Sequence, residues 1–218
     1  LEQRDYRACP VGYLGDVAKA FDPSWLIPEV EWEERLQEQK ATHSRLIDIR
    51  NTGGPNGGPI PSLDQGSVPY CWAHSPVSGA LLARAVMGQP YRRLSAFGPG
   101  ARIKNFRQRG GFNAEAVEFI GEYGIPLHSD WPEGAIDRQY DNAATWEHAR
   151  RNRFTDWVDL DPSNMEQQFV SCLLQNWMVP SDYPWWMHSV CAVALESIKP
   201  LKVWIWNSWG DSWSLLGM

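Results

Sequence analysis

Cysteine is scarce in this chain and carries no pairing pattern: Cys9, Cys71, Cys172 and Cys191 are the four among 218 residues. None belongs to a CxxC pair and no His stands at ligand spacing from them, so neither a metal site nor a cofactor is expected. Long apolar runs are missing as well. The best of them, Val77 to Met87, is interrupted by Arg84 and falls short of the roughly 18 apolar residues of a membrane span. No basic-then-apolar leader follows Leu1, so no signal peptide is read in the sequence. Positive charge is in deficit, with 20 Lys and Arg against 26 Asp and Glu and a formal net charge of −6. The Arg-rich stretch from Arg102 to Arg109 is short and isolated. A nucleic-acid partner would need a basic face or stripe, so neither nucleic acid nor membrane is an expected partner. Internal repeats and low-complexity segments are also lacking.

The length suffices for one domain, or one two-lobed domain, with a sizeable core. Thirteen tryptophans, several clustered at Trp185-Trp186, Trp204-Trp206 and Trp209-Trp213, are expected to pack the core and a lobe interface. Pro28 to Ser44 is charged, with Val30, Trp32 and Leu36 as its apolar marks, and reads as a surface helix. Gly53 to Pro61 is an irregular loop by composition. From Cys71 a helical period sets Ala73, Val77, Leu81 and Ala85 on one face and ends at Gly88, and Pro76 is expected to kink it. A second helix follows Asn113 as N-cap, with Val117, Ile120 and Tyr123 on one face and Gly124 as C-cap. Leu127 to Asp156 shows no period and reads as connecting loops. Ser163 to Glu166 has the form of a capping box before a helix that buries Phe169, Cys172 and Leu173. His188 to Leu195 and Leu201 to Trp206 read as two strands joined by a turn at Ile198 to Pro200, which brings His188 and Asn207 to one sheet edge.

The run Gln65-Gly66-Ser67-Val68-Pro69-Tyr70-Cys71-Trp72-Ala73, with His188 and Asn207-Ser208-Trp209-Gly210 downstream, supplies a thiol, a base, an orienting amide and an oxyanion donor. In order and in the Gln-to-Cys spacing, this set resembles the papain-like (C1-type) cysteine peptidases. The stretch from Gly110-Gly111 to Tyr123-Gly124-Ile125 matches the same family without a gap. The resemblance implies an α+β, two-lobed fold in which a helical lobe carrying the nucleophile helix packs on an antiparallel β-sheet or barrel lobe, with a cleft between them. It places the papain-like domain at 46–218, with the helical lobe at about 62–145 and the β lobe at about 46–61 and 146–218, opened by Leu46 to Arg50 as a short strand. Residues 1–45 are then an N-terminal arm packed on a lobe or a neighbouring subunit, or a pro-segment over the cleft.

By the same resemblance Cys71 is the nucleophile, His188 the acid/base, Asn207 its orienter and Gln65 an oxyanion donor beside the Cys71 N–H. The resting pair is expected to be thiolate and imidazolium. Gly110 and Gly111 would offer backbone hydrogen bonds to an extended peptide. Asn113, Trp186 and Met187 would wall the pocket for the second side chain before the cut. Trp209 would cover the His–Asn bond, and Tyr70 and His74 would alter the cleft floor. The other histidines, His43, His128 and His148, are read as structural or exposed.

Val68 and Gln108 stand where secreted members of the family carry a disulfide, which points to a reducing compartment, cytoplasmic or virion-associated. The chain stops eleven residues after Asn207, so either it is incomplete or its sheet lobe is minimal and needs a partner in a homo-oligomer or larger assembly. The lost disulfide, the arm and the short end resemble papain-like proteins encoded by tailed phages. Three readings follow: an endopeptidase acting on peptides or proteins, an assembly component with a vestigial site, and a transferase passing the acyl group to an amine.

Overall fold

A computed structural model describes residues 19–218; expectations that fall on residues 1–18, including the first part of the N-terminal arm, lie outside the described residues. In chain order the elements are β1 (Lys19–Ala20), α1 (Trp32–Ala41), α2 (Leu46–Arg50), α3 (Cys71–Val86), α4 (Phe97–Ile103), α5 (Asn113–Tyr123), α6 (Ala143–Ala149), β2 (Val158–Asp159), α7 (Met165–Leu174), β3 (Val179–Tyr183), β4 (His188–Ser197) and β5 (Lys202–Trp206). β3, β4 and β5 form an antiparallel sheet in that order, and β1 pairs in parallel with β2. Among the described residues the sheet is open and three-stranded, not a closed barrel.

β4 is the hinge of the architecture because its apolar run from Val190 to Leu195 is buried on both faces. Cys191 and Val193 join the core beneath α3 together with Trp206, whereas Ala192 and Leu195 face a second core formed by α1 and α7. A strand sandwiched in this way reads as a continuous apolar stretch. α3 is correspondingly buried on all sides from Trp72 to Leu82. Gly79 lets it lie close to the sheet, since a Cβ there would stand 2.8 Å from Met178 Cγ. The helix runs unbroken through Pro76, with tertiary packing outweighing the missing backbone bond.

The charged stretch after Pro28 does form a helix, and Trp32 and Leu36 seat it on α7 and β4 while Val30 remains exposed. Gln39, also buried, donates from Nε2 to Leu174 O at 3.0 Å and Asn176 Oδ1 at 3.1 Å.

Four local expectations require correction. Leu46–Arg50 is a helix, not a strand: Leu46, Ile47 and Arg50 are its buried residues, an i, i+1, i+4 spacing that makes one helical face. Its first turn is closed by Asp48, which accepts from the Arg45 N–H at 3.1 Å. Asn113 is the first helical residue of α5, one position past the extended Phe112, whose N–H is taken by Glu115 Oε2 at 2.8 Å. The Ser163 capping box does not form; Asp161 accepts from the Ser163 N–H at 2.8 Å and starts a short 3₁₀ turn ahead of α7. Finally, α6 interrupts the supposed loops between Leu127 and Asp156. Asn142 caps it by accepting from the Thr145 N–H, and Trp146 anchors it edge-on to Phe119 and Tyr123.

Candidate active site

Two chain segments are zipped together to make one wall of the site. The Gln65 N–H donates to Ser208 O at 2.9 Å, and the Gly210 N–H donates to Leu63 O at 3.1 Å. Between these bonds Asp64 bridges Trp209 in antiparallel fashion. The Trp206 indole N–H reaches Ser62 Oγ at 2.7 Å and extends the zipper by two residues. Gln65 and Asn207, 142 positions apart in the sequence, therefore occupy adjoining backbone ribbons.

Within that wall His188, the first residue of β4, is 7% exposed and its Nε2 lies 2.6 Å from Asn207 Oδ1. The Ser208 N–H donates to the same Oδ1 at 2.7 Å, which identifies that atom as the acceptor and puts the imidazole proton on Nε2. Nδ1 is thereby left with its lone pair. The Trp209 ring stacks on the imidazole at 4.6 Å between centroids and 29° between planes, while Trp186 meets it edge-on at 4.8 Å. Trp186 and Trp209 also touch each other, so the imidazole is held in an aromatic corner. Burial in this corner pushes the His188 pKa below 6.5, and the Asn207 bond opposes that shift without reversing it.

Gln65, likewise buried, has both ends of its amide engaged. Its Nε2 donates to Val68 O at 3.0 Å, and its Oε1 accepts from the Ser208 hydroxyl at 2.7 Å. The Val68 carbonyl can only accept, which fixes that end of the amide as the donor, and one Nε2 proton is left over. Ser208 is thus a positioning residue that the sequence reading quoted inside its motif without giving it a role.

Cys71 is the first residue of α3, half-buried, with a free thiol. Its N–H, at the first helical position, has no intrahelical acceptor, and the helix terminus adds positive potential there. No hydrogen bond joins its sulfur to His188 among the described residues. Its neighbour Trp72 donates from the indole to Pro69 O at 3.0 Å and Arg109 O at 3.3 Å, tying the glycine pair to the start of α3. Gly110 is exposed with open space at its Cβ position, whereas Gly111 lies against the Trp72 ring.

Tyr70 and His74 do not lie on a cleft floor. Both are buried beneath α3, Tyr70 donating to Arg107 O at 2.9 Å and His74 packing edge-on to Phe97. His74 Nδ1 lies 2.8 Å from Tyr70 O, and burial pushes its pKa down to about 4. Asn113 is drawn to a partner the sequence did not suggest: its N–H and Nδ2 donate to the Asp182 carboxylate at 3.1 and 2.9 Å, and the Ser189 hydroxyl donates to the same group. Asp182 faces Ser189 across the β3–β4 ladder, so α5 is clamped to the strand that carries His188. An acidic residue in the register position beside that strand start was the available signal. Met187 is largely exposed, in the left-handed region at φ 51°.

No protein-family model matches this chain, and no curated protein is significantly similar to it in sequence. Solved structures are similar to it in fold. Xylellain, a cysteine protease from Xylella fastidiosa, superposes with a TM-score of 0.64 at 14% identity, covering 94% of this chain and 84% of that one. Digestive procathepsin L 3 from the larval midgut of Tenebrio molitor gives 0.57 at 17% identity, covering 91% and 87%. A helix with a thiol at its N-terminus, packed on an antiparallel sheet that carries a His–Asn pair where β4 begins and β5 ends, thus belongs to a chain with the papain-like fold.

Proposed function

We propose that this protein is a cysteine-type peptidase that cleaves peptide bonds through Cys71, His188, Asn207 and Gln65. The observation that carries the proposal is the His188–Asn207 pair under Trp209, which leaves a bare Nδ1 at the edge of β4, the strand on which the Cys71 helix packs. In the reaction Nδ1 takes the thiol proton as sulfur attacks the scissile carbonyl. The oxyanion receives hydrogen bonds from the Cys71 N–H and the spare Gln65 Nε2 proton. Collapse expels the amine, which leaves with the proton from His188, and water then hydrolyses the thioester with His188 again as base.

Substrate would lie as an extended strand along Gly110 and Gly111. At the pocket expected beside Asn113, that residue is held by Asp182, which also accepts from Ser189, and Trp186 lies against the imidazole. Residues 19–45 are read as an arm, supported by the seating of α1 on α7 and β4. The missing Cys71–His188 hydrogen bond favours a second reading, an assembly component whose catalytic pair no longer engages.

Turnover of unfolded casein under reducing conditions separates the two. A peptidase loses activity completely in Cys71→Ala and about 10²–10³-fold in Gln65→Ala. Absence of turnover by the unmodified chain, or turnover that survives Cys71→Ala, contradicts the peptidase reading.

A further inference from the structure

The C-terminal end of α3 carries a surface unlike the rest of this acidic chain. Val86 and Met87 are exposed there by 50% and 63%. Arg84, in the last turn of the helix, organises their surroundings: its Nη1 donates to Asn152 Oδ1 at 2.9 Å and its Nη2 to Pro90 O at 3.3 Å. These two bonds bring the 150–153 segment beside residues 84–92, so Arg150, Arg151 and Arg153 gather near Arg84 and Arg92. Burial and then repulsion from Arg92 lower the Arg84 pKa, as crowded guanidinium groups should. Neither 84–93 nor 150–153 contains an Asp or Glu. Arg92, Arg151 and Arg153 are exposed and enter no ion pair among the described residues, and Arg150 meets Glu147 at 3.8 Å in open solvent. An exposed apolar centre with a charged rim has the make-up of a docking surface.

Its complement stands on the same chain. Val30, 89% exposed, lies in the 3₁₀ turn Glu29–Glu31 that runs directly into α1. Glu33 and Glu34 follow it at three and four positions, which sets all three on one helical face, away from the buried Trp32 and Leu36. Glu29 and Glu31 flank Val30, and Glu33 and Glu34 are exposed without an ion pair among the described residues. α1 packs on one face of β4 and α3 on the other. The acidic face and the arginine-rimmed patch of one chain therefore do not close on each other, whereas those of two chains can meet.

We propose that two copies of this chain associate head to tail, the Val30, Glu33 and Glu34 face of one docking on the Val86 and Met87 patch of the next, inside its arginine rim. Opposite charges steer the copies together and fix their register, and the apolar residues are what the contact buries. Such a contact is heterologous, so it repeats into a ring or a filament. It is independent of the peptidase reading, because α3 sets Met87 about 24 Å from Cys71 at 1.5 Å per residue.

The test is sedimentation velocity of the full chain under reducing conditions, over a range of protein concentrations at low and high salt. The proposal expects concentration-dependent association at low salt with a dissociation constant of about 100 µM or tighter, weakened at least about 10-fold at 0.5 M salt. Two charge reversals at exposed positions, Arg92→Glu with Arg151→Glu in one variant and Glu33→Lys with Glu34→Lys in another, should each leave a monomer. An equimolar mixture of the two variants should associate again, since the native acidic face of the first meets the native patch of the second. A monomeric unmodified chain, association that the reversals leave unchanged, or a mixture that stays monomeric overturns the proposal. If circular dichroism shows that either variant does not fold, the concentration and salt dependence of the unmodified chain and Met87→Asp, which should also give a monomer, still decide.

Discussion

His74 offers a clean electrostatic test of the packing beneath the active site. It is 1% exposed, held by Tyr70 O, and its pKa in the folded protein is about 4 against 6.5 for a free imidazole. Burial is the main cause, while Tyr70 O, Glu133 and Asp64 pull the other way and His188 adds slightly to the depression. The unfolded chain therefore binds a proton between pH 6.5 and 4 that the native state refuses. The contribution of His74 to stability is intact above about pH 6.5 and is lost as pH falls through that window. From the two pKa values the loss is about 2 kcal/mol at pH 5 and about 3.4 kcal/mol below pH 4.

His74→Phe removes the titration and keeps an aromatic ring on Phe97. Tyr70 O stays satisfied after the change, because the backbone N–H groups of Ala73 and His74 also donate to it. Urea unfolding of both proteins at pH 7.5 and pH 5 then yields a double difference in which carboxylate contributions cancel. The substitution should make the protein less pH-sensitive by about 2 kcal/mol over this range. Equal pH dependence in the two proteins would refute the argument that His74 is buried and neutral.

Three further outcomes follow from the geometry. Ser208→Ala leaves Gln65 Oε1 without its donor, so peptide hydrolysis should fall about 10-fold while the unfolding free energy drops about 1–3 kcal/mol; unchanged kcat would show that the hydroxyl does not orient the amide. Gly111→Ala sets a Cβ 2.7 Å from the Trp72 ring and should cost about 1–3 kcal/mol in thermal unfolding, whereas Gly110→Ala, with open space, should be silent. Arg50, 1% exposed, donates to Ser62 Oγ and Leu216 O and stands 3.5 Å from Asp211. Arg50→Met should destabilise by about 2–4 kcal/mol in urea unfolding, because Leu216 O and Ser62 lose their shared donor.

What the sequence revealed and what it concealed divide along a physical line. The α3 period, the Gly124 stop of α5 and the β4–β5 hairpin are local patterns, and they appear in the structure where their residues place them. Leu46–Arg50 has a spacing that suits a helix, yet family resemblance pointed to a strand; packing on α3 and β4 decided the matter. Asn113 looked like a cap because nothing in its neighbourhood revealed Asp182, 69 positions away. Tyr70 and His74 seemed to belong to the cleft because they flank Cys71, but a helix buried on every side directs its neighbours into the core. The pairing of Gln65 with Ser208 is likewise long-range, and no period or spacing rule encodes it.

The central claim is that His188 activates Cys71, and the most direct measurement is the rate at which an epoxide-type thiol-peptidase inhibitor labels Cys71 across pH, read by intact mass beside His188→Ala. The account predicts labelling at neutral pH about 10²–10⁴-fold faster in the unmodified protein than in the variant. It also predicts a fall in rate at acid pH governed by a group with a pKa below 6.5, absent from the variant. Labelling at the rate of an ordinary thiol, the same in both proteins, would contradict it.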